Sequence, residues 1–552
     1  MKIACLGGGP GGLAFAIRAK RSDPSREIEV YDRNPAGATY GFGVVLSDEA
    51  MGAIADLDPE VHAAVVRDGA RWTEIDVNLR GKTYTSGGHG FTSMTRTALI
   101  TLMQQRAEQL GVVFHHATEA PDPATLEVDL VVASDGAASG VRNRLAADLG
   151  PHVEMGGCRF IWLATDRVFE AFTFIFVETP AGVLQIHAYP YDADASTFIV
   201  EMREEVWRGL GFDTIARTDL KPGESDTASV ARLEELLKDV LGGHRLLANN
   251  SKWISFPTLT VDRWSAGNVV LLGDAAHTAH FSIGSATKLA VEDAIALAGA
   301  LDDHASIPEA LAAYEAERKP LVASTQRAAA ASREWFEHLP QYLGQEDLQF
   351  VFNLLTRSRR ITYENLRLRD PGFVEEVDRW FAGKVAGGAP AGTPPMFLPF
   401  PLRDLELMNR VVVSPMDMYV AEDGEIGGFH LVHLGARALG GAGLVMTEML
   451  CTSLEGRITP GCAVLATEGQ AAAWKEVVDF VHARSHAAIG AQIGHAGRKG
   501  STKRMWEGID EPLPSENWPV IGPSASAYAE GVNQVPREMT REDMEDRKST
   551  RL

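Results

Sequence analysis

Gly7, Gly9 and Gly12 stand in a Gly-x-Gly-x-x-Gly spacing directly after the apolar run Ile3-Ala4-Cys5-Leu6 and at the head of a helix-forming stretch. In that position the first glycine permits a tight turn, the second lets a pyrophosphate approach the backbone, and the third allows a helix to pack closely on a strand. The helix start adds unpaired N–H groups and a partial positive charge. A second apolar run, 28–31, ends at Asp32, twenty residues beyond Gly12, where a carboxylate can bond a ribose hydroxyl. The set predicts dinucleotide binding; the competing reading is a glycine-rich turn that serves packing alone. Two later stretches carry further acids. ASDGAASGVR (133–142) holds Asp135-Gly136, Ser139 and Arg142, and LLGDAAHTAHFSIGSATKLAVEDAIAL (271–297) holds Gly273-Asp274 and Gly284. A short carboxylate at Asp274, after a buried strand, can accept hydroxyl donors, and Asp also favours a helix N-cap.

The elements that position these residues follow from periodicity. A strand at 3–6, a helix at 11–20 and a strand at 28–31 make a βαβ start and predict a parallel sheet. A helix near 97–110 and a strand at 129–133 extend it. Over 160–203, Phe172, Phe174 and Phe176 alternate with Thr173 and Ile175, which predicts an antiparallel sheet; it is placed as an insertion at roughly 155–255. A buried strand returns at 268–276, followed by helices at 286–301 and 308–337. The stretch AGKVAGGAPAGTPPM (382–396) reads as a linker. Beyond it strands at 410–414, 443–448 and 487–493 alternate with helices at 430–440 and 468–485. The fold class is therefore α/β: a Rossmann-like domain over 1–380 with an inserted antiparallel sheet, a linker at 381–397, and part of a (β/α) barrel over 398–552.

The 552 residues suffice for two to four domains. A net charge of −22 argues against nucleic acid or anionic membrane as a partner. Cys5, Cys158, Cys451 and Cys462 form no CxxC pair and no disulfide framework, which fits a reduced, cytoplasmic setting. The N-terminus has no signal-peptide pattern. No residue cluster points to a metal.

The three motif stretches, in this order and spacing, resemble FAD-dependent aromatic hydroxylases of the para-hydroxybenzoate hydroxylase type over about residues 1–380. The resemblance implies FAD as cofactor, NADH or NADPH as co-substrate, and O2. In that family oxygen transfer runs through a flavin C4a-hydroperoxide. It gives the Asp135 stretch to FAD and the nicotinamide donor, Asp274 to the ribityl chain, and Arg96 to a contact with FAD; a surface arginine at a helix start is the bland alternative for Arg96. The helix after Gly284 would aim its N-terminus at the flavin. His277 and His280 lie nearest the expected ring. His280 is the candidate for proton transfer, against plain packing for both. Trp162, His187 and Tyr189 would wall the substrate pocket. The family's prolines after Gly-Asp are replaced here by Thr278-Ala279-His280-Phe281.

AFTFIF, SRRITYENLRLRDP and the Gly-Asp stretch more narrowly resemble anthraniloyl-CoA monooxygenase and salicylyl-CoA 5-hydroxylase. This implies an ortho-amino or ortho-hydroxy benzoyl-CoA thioester hydroxylated at the 5-position. Alternatives are a free phenolic acid as substrate, or a non-catalytic flavin-binding remnant. Arg357, Arg359, Arg360, Arg367 and Arg369 are the candidate contacts for the CoA nucleotide, since arginine forks suit phosphates; a solvated helix face is the alternative. The segment 398–540 resembles old yellow enzyme, an FMN-binding barrel. Ser414, Pro415 and Met416 would end its first strand against flavin, Met449 its second, and Gln492 its third; Tyr419 matches a substrate-side Tyr, and Asp417 replaces a Cys found in some members. A whole barrel needs about 200 residues or more. The expectation is therefore an incomplete module with doubtful FMN binding, a truncated chain, and a tendency to self-associate.

Overall fold

A computed structural model describes residues 1–37, 41–221, 223–385, 390 and 392–548. The chain divides into two compact units, Met1–Val374 and Glu375–Leu552. Part of the linker expected at 381–397, namely 386–389 and 391, lies outside the described residues. No described helix is long and apolar enough to cross a membrane.

The first unit is built on a six-stranded sheet. Its order is Ser265–Ala266, Val269–Leu271, Leu130–Ala133, Lys2–Leu6, Glu27–Asp32, Val113–His116. All neighbours are parallel except the first pair. Val269–Leu271, Leu130–Ala133 and Lys2–Leu6 bury nearly all their side chains because both faces are covered, whereas Glu27–Asp32 alternates buried Ile28 and Val30 with exposed Glu27 and Glu29. From Lys2–Leu6 the chain passes to one side through Glu27–Asp32 and returns on the other through Leu130–Ala133. The carboxyl end of Lys2–Leu6, where Gly7 lies, is thus a topological switch point, where open α/β sheets bind ligands. Helix Pro10–Ser22 follows, with Pro10 at its first position and Gly9 at its N-cap. It packs on helix Ala286–Asp303, whose apolar stripe includes Leu289, Ala294, Leu297 and Ala298.

The antiparallel sheet is larger than the sequence suggests. Pro151–Thr165, Phe172–Thr179, Gly182–Pro190, Ser196–Arg203 and Ile254–Val261 form it. It also recruits Ile75–Leu79, parallel to Phe172–Thr179, and the hairpin partner Lys82–Ser86. Ile75 pairs with Phe172, 97 positions on, so no local pattern marks this hairpin as part of the sheet. A third sheet, Gly43–Ser47, Phe91–Thr95 and Ala70–Trp72, and the helices Asp48–Leu57 and Pro59–Asp68 were likewise not anticipated. Register sorts the large sheet into two faces. Ile161, Ile175, Ile186, Phe198 and Val200 share one and form a buried core with Phe212, Leu233 and Leu237. Phe160, Trp162, Phe174, Gln185, His187 and Glu201 share the other.

In the second unit, Val412–Val413, Leu444–Cys451 and Ala488–Gly494 form a three-stranded parallel sheet. Helices Gly428–Leu439 and Glu468–Arg484 pack on one side of it, through Leu434, Ala438, Trp474, Val477 and Val481.

Candidate active site

The glycines at the switch point are each required by a different neighbour. Gly7 has φ +119°, and a Cβ there would lie 2.3 Å from the Ser134 carbonyl oxygen. A Cβ on Gly12 would lie 2.2 Å from the Gly7 oxygen and 2.5 Å from Ser134 Oγ. A Cβ on Gly9 would meet nothing within 4 Å. Gly7 and Gly12 are thus packing glycines, whereas Gly9 borders open space at a helix start that has no side-chain cap and no acid in its first turn. Asp32 leans over this turn: a Cβ on Gly8 would lie 2.4 Å from its Oδ2. Its Oδ1 accepts from the Asn34 N–H at 2.9 Å, which leaves Oδ2 for a hydroxyl donor.

Arg142 joins the other two stretches. Its buried guanidinium donates to the Ala137 carbonyl at 2.7 Å and to the Ala275 carbonyl at 3.0 Å, fixing the Asp135 loop against the Asp274 turn. Asp135 Oδ1 is buried with no partner. Asp274 lies in the short turn Gly273–Ala275 after the strand, not at the strand's own end, and caps no helix there. Its side chain is exposed into a cleft although protein surrounds it. That enclosure raises its carboxyl pKa, against the lowering pull of His277 and Arg96. Arg96 opens the helix Arg96–Gln109 behind the Thr95 cap. Gly284 takes φ +62° just before helix Ala286–Asp303, which has neither a side-chain cap nor an acid in its first turn. Open space at Gly9, an orphaned Asp135 oxygen, an unbonded Asp274 and two uncapped helix starts fit a phosphate-bearing, hydroxyl-rich cofactor of the FAD type.

His277, expected to pack and hydrogen-bond, pins this turn. Its Nε2 lies 2.6 Å from Asp293 Oδ2, and Arg318 Nε donates to Asp293 Oδ1 at 2.8 Å. Burial raises the Asp293 pKa, and the charges and hydrogen bonds of His277 and Arg318 more than reverse this. Breaking one side of a fully buried ion pair costs about 3–5 kcal/mol. Arg318→Ala is expected to unfold earlier in urea by that order; an unchanged midpoint would remove Asp293 as the anchor of the turn.

On the polar face of the large sheet, sequence reading found His187 and Trp162 but missed the central residue, Glu201. Glu201 is wholly buried. His187 Nε2 lies 3.0 Å from its Oε2, and His280 Nε2 approaches its Oε1 at 3.5 Å. Burial raises the Glu201 pKa; the hydrogen bond from His187 and the contact with His280 outweigh it and hold the carboxyl at about 2. Burial lowers the His187 pKa more than Glu201 raises it, so His187 serves as a neutral N–H donor. The signal available in sequence was a lone Glu in the apolar run FIVEM, in phase with the Phe face.

His280 belongs to a longer chain of hydrogen bonds. Its Nδ1 lies 2.8 Å from Ser282 Oγ and accepts from the Ser282 N–H at 3.4 Å. Ser282 Oγ lies 2.7 Å from Ser332 Oγ, which accepts from Arg357 Nε at 2.9 Å. A guanidinium only donates. Because His280 Nδ1 accepts from the Ser282 N–H, Ser282 Oγ donates to it and accepts from Ser332, leaving the His280 proton on Nε2 towards Glu201. Phe281 stacks on His280 at 4.3 Å and meets Phe160 at 4.8 Å and His187 at 5.4 Å. Gln185 Oε1, His187 Nδ1 and Trp162 Nε1 are buried without a hydrogen-bond partner, and Glu201 Oε1 has only the 3.5 Å approach of His280. Each such atom costs about 1–3 kcal/mol, and these atoms lie among closely packed aromatic rings, where the polar edge of a ligand ring would satisfy them. Tyr189, also expected in this wall, shares the face by register, stacks on Phe172 and donates its hydroxyl to the Gly43 carbonyl at 3.2 Å; burial pushes it up to about 12.

The structure separates the five arginines. Arg357 turns inward, donating to Ser332, to the Leu354 carbonyl and to the Ser282 carbonyl, with its guanidinium over Phe174 and Phe336. Burial lowers its pKa to about 9, against the pull of Glu201. Arg359, Arg360, Arg367 and Arg369 are exposed. Arg360 donates to Ser324 Oγ, and Arg367 pairs with Glu364.

In the second unit the strand register sets Met449 beside Gln492. Ser414, Met416 and Gln492 are exposed and Pro415 half-buried, so these residues form one arc at the carboxyl edge of the sheet. Asp417 there accepts the Met449 N–H at 2.9 Å, and burial raises its pKa. Tyr419 is buried against Cys451, Cys462 and Val464.

A switch-point glycine turn, a ribose-side acid and a second acid on a turn clamped by Arg142 define a dinucleotide-binding flavoprotein. Residues 76–329 match the FAD binding domain family, and residues 395–549 match the NADH:flavin oxidoreductase / NADH oxidase family. Salicyloyl-CoA 5-hydroxylase of Streptomyces sp is 42% identical over 429 residues, covering 77% of this chain and 81% of that protein. The 3-hydroxy-4-methyl-anthranilyl-[aryl-carrier protein] 5-monooxygenase of Streptosporangium sibiricum is 40% identical over 374 residues, 68% of this chain and 99% of that one. A variant of 2-methyl-3-hydroxypyridine-5-carboxylic acid oxygenase shares the fold, with a TM-score of 0.51 at 20% identity over 67% of this chain and 98% of that chain. The chain belongs to the FAD-dependent aromatic monooxygenase family, with a second, FMN-type oxidoreductase module after it.

Proposed function

We propose that this enzyme hydroxylates, at the 5-position, a benzoyl ring with an ortho hydroxyl or amino group, held as a coenzyme A thioester and using NADH or NADPH and O2. The buried Glu201–His187–His280 cluster inside an aromatic chamber carries the reading, because an ortho O–H or N–H is the polar edge that its unpartnered atoms need. The names of the two relatives, one a CoA thioester enzyme and one a carrier-linked one, support the substrate class. FAD, when bound, supplies the activation of oxygen. Gly7, Gly9, Gly12, Asp32, Arg96, Asp135, Asp274 and Gly284 would hold it. His280, with its Nδ1 held by Ser282 and its Nε2–H facing Glu201, assists proton transfer by stabilising the carboxylate that accepts the hydrogen bond of the ring's ortho O–H or N–H. The Phe160, Phe174, Phe281 and Phe336 rings exclude water from the reacting carbon.

Residues 1–380 form the catalytic domain in this reading, and the exposed Arg359, Arg360, Arg367 and Arg369 remain the contacts for nucleotide phosphates. Four buried free thiols fit a reducing, cytoplasmic compartment. Ser414, Pro415, Met416, Met449 and Gln492 are the flavin-facing residues of the second module. NADH and NADPH oxidation measured with salicyloyl-CoA, anthraniloyl-CoA, salicylate and anthranilate tests the assignment. Thioester-dependent oxidation with a 5-hydroxylated product is expected. Equal stimulation by the free acids would move the substrate to a phenolic acid.

A further inference from the structure

A second cavity, of about 380 Å³, lies behind Arg357 and opens to the surface between the end of helix Ile307–Glu337 and helix Asp347–Thr356. That size is within the range of ligand sites. Its floor is Trp335, Tyr342, Asn353, Thr356 and Arg357; Glu334, His338, Gln341 and Arg359 are exposed at its rim. The indole of Trp335 and the ring of Tyr342 stack at 4.9 Å and 4°. Trp335 Nε1 donates to Asn353 at 3.1 Å, which holds the flat floor in place. Arg357 is common to this cavity and to the aromatic chamber, since the same guanidinium lies over Phe174 and Phe336 and donates to the Ser282 carbonyl.

We infer that this cavity receives the phosphopantetheine arm of the acyl donor, with the thioester end at Arg357 and the phosphate at Arg359. The inference rests on the proposed thioester substrate. A ring bound at the Phe174–His187–Phe336 cluster and tethered to a long arm needs a route for that arm to the surface, and Arg357 touches both the cluster and this cavity. Pantetheine alternates amides with methylene groups. The cavity is lined by amide and imidazole side chains and flat aromatic surface, and its rim carries the Glu334 carboxylate and the Arg359 cation, the latter suited to a phosphate. Coenzyme A and a carrier protein present this same arm, so the chemistry is shared by both sources.

The test uses the full chain reconstituted with FAD and reads binding through Trp335 fluorescence and by calorimetry. Probes are coenzyme A, 4′-phosphopantetheine, pantetheine and salicylate. Ala331 lines the cavity and is half-buried. Ala331→Trp, which fills the cavity, is expected to weaken coenzyme A and phosphopantetheine at least tenfold while salicylate binds as before. Arg359→Glu, at an exposed position where folding is not at stake, is expected to weaken phosphopantetheine about tenfold and pantetheine much less. If wild type binds coenzyme A and both variants bind it equally well, the cavity assignment is wrong and the thioester reading stands. If wild type binds none of the three arm-bearing probes, the thioester reading itself fails. Comparing salicyloyl-CoA with the salicyloyl thioester of a phosphopantetheinylated carrier protein then assigns the source: a lower KM for the first points to free coenzyme A, and for the second to a carrier.

Discussion

Gly12→Val is expected to abolish folding into a flavin-competent state, whereas Gly9→Ala leaves a stable protein that binds FAD poorly. The difference lies in what each new side chain meets. At Gly12 the first added carbon already falls 2.2 Å from the Gly7 oxygen and 2.5 Å from Ser134 Oγ, both fixed by strand and turn. Ser134 Oγ itself donates to the Gly7 oxygen at 2.8 Å, so neither atom can retreat without breaking that bond. Overpacking of this kind costs about 1–3 kcal/mol or more, and the β-branched valine adds to it. At Gly9 the carbon enters open space, and only a ligand's phosphate would collide with it. Urea denaturation of both variants, together with the visible absorbance of retained flavin, separates the two effects. Equal stability of Gly12→Val and wild type would show that the helix does not pack on the turn as closely as described. Full flavin content in Gly9→Ala would place the pyrophosphate elsewhere.

Glu201→Gln is expected to lower hydroxylation about 100-fold, the scale of a lost acid–base partner, while the protein still retains FAD. The amide keeps the shape of the carboxylate but not the charge that His187 and His280 face. Its effect on stability depends on pH in a defined direction. The Glu201 pKa is held at about 2 in the folded protein, below its ordinary value of 4.5. Its contribution is therefore full above about pH 4.5 and is lost as pH falls from there towards 2. Wild type should exceed Glu201→Gln in unfolding free energy at pH 7, and the gap should close on acidification across that window. A constant gap would mean that the carboxylate does not sit against the two histidines. In the kinetics, a merely structural role would lower activity without moving the pH profile of kcat. A positioning role for Glu201 moves a limb of that profile.

Much of the cofactor side was legible in the sequence because its determinants are local. A glycine turn, the strand before it and the helix after it occupy contiguous residues, and each acid sits directly after its own strand. The same holds for the alternating Phe172, Phe174 and Phe176, whose period of two fixes one face whatever lies opposite. What the sequence left open is decided by partners far apart along the chain. Glu201 faces His187 by strand register and His280 through a turn eighty residues on. Asp293 meets His277 and Arg318 from one helix to the next. Ile75–Leu79 finds its sheet only once Phe172–Thr179 is in place. The arginine run shows the limit most directly. Arg357 and Arg359 are two positions apart and chemically identical, and nothing local distinguishes them. Yet one is drawn between Phe174 and Phe336 to direct the hydrogen bonds of His280, and the other points to water. The sequence by itself determined a flavin-binding α/β chain with an aromatic-faced sheet, since those features follow from short-range spacing and periodicity. Which polar groups share the chamber was settled only by tertiary packing, because a buried charge is placed by the partners that compensate its lost hydration.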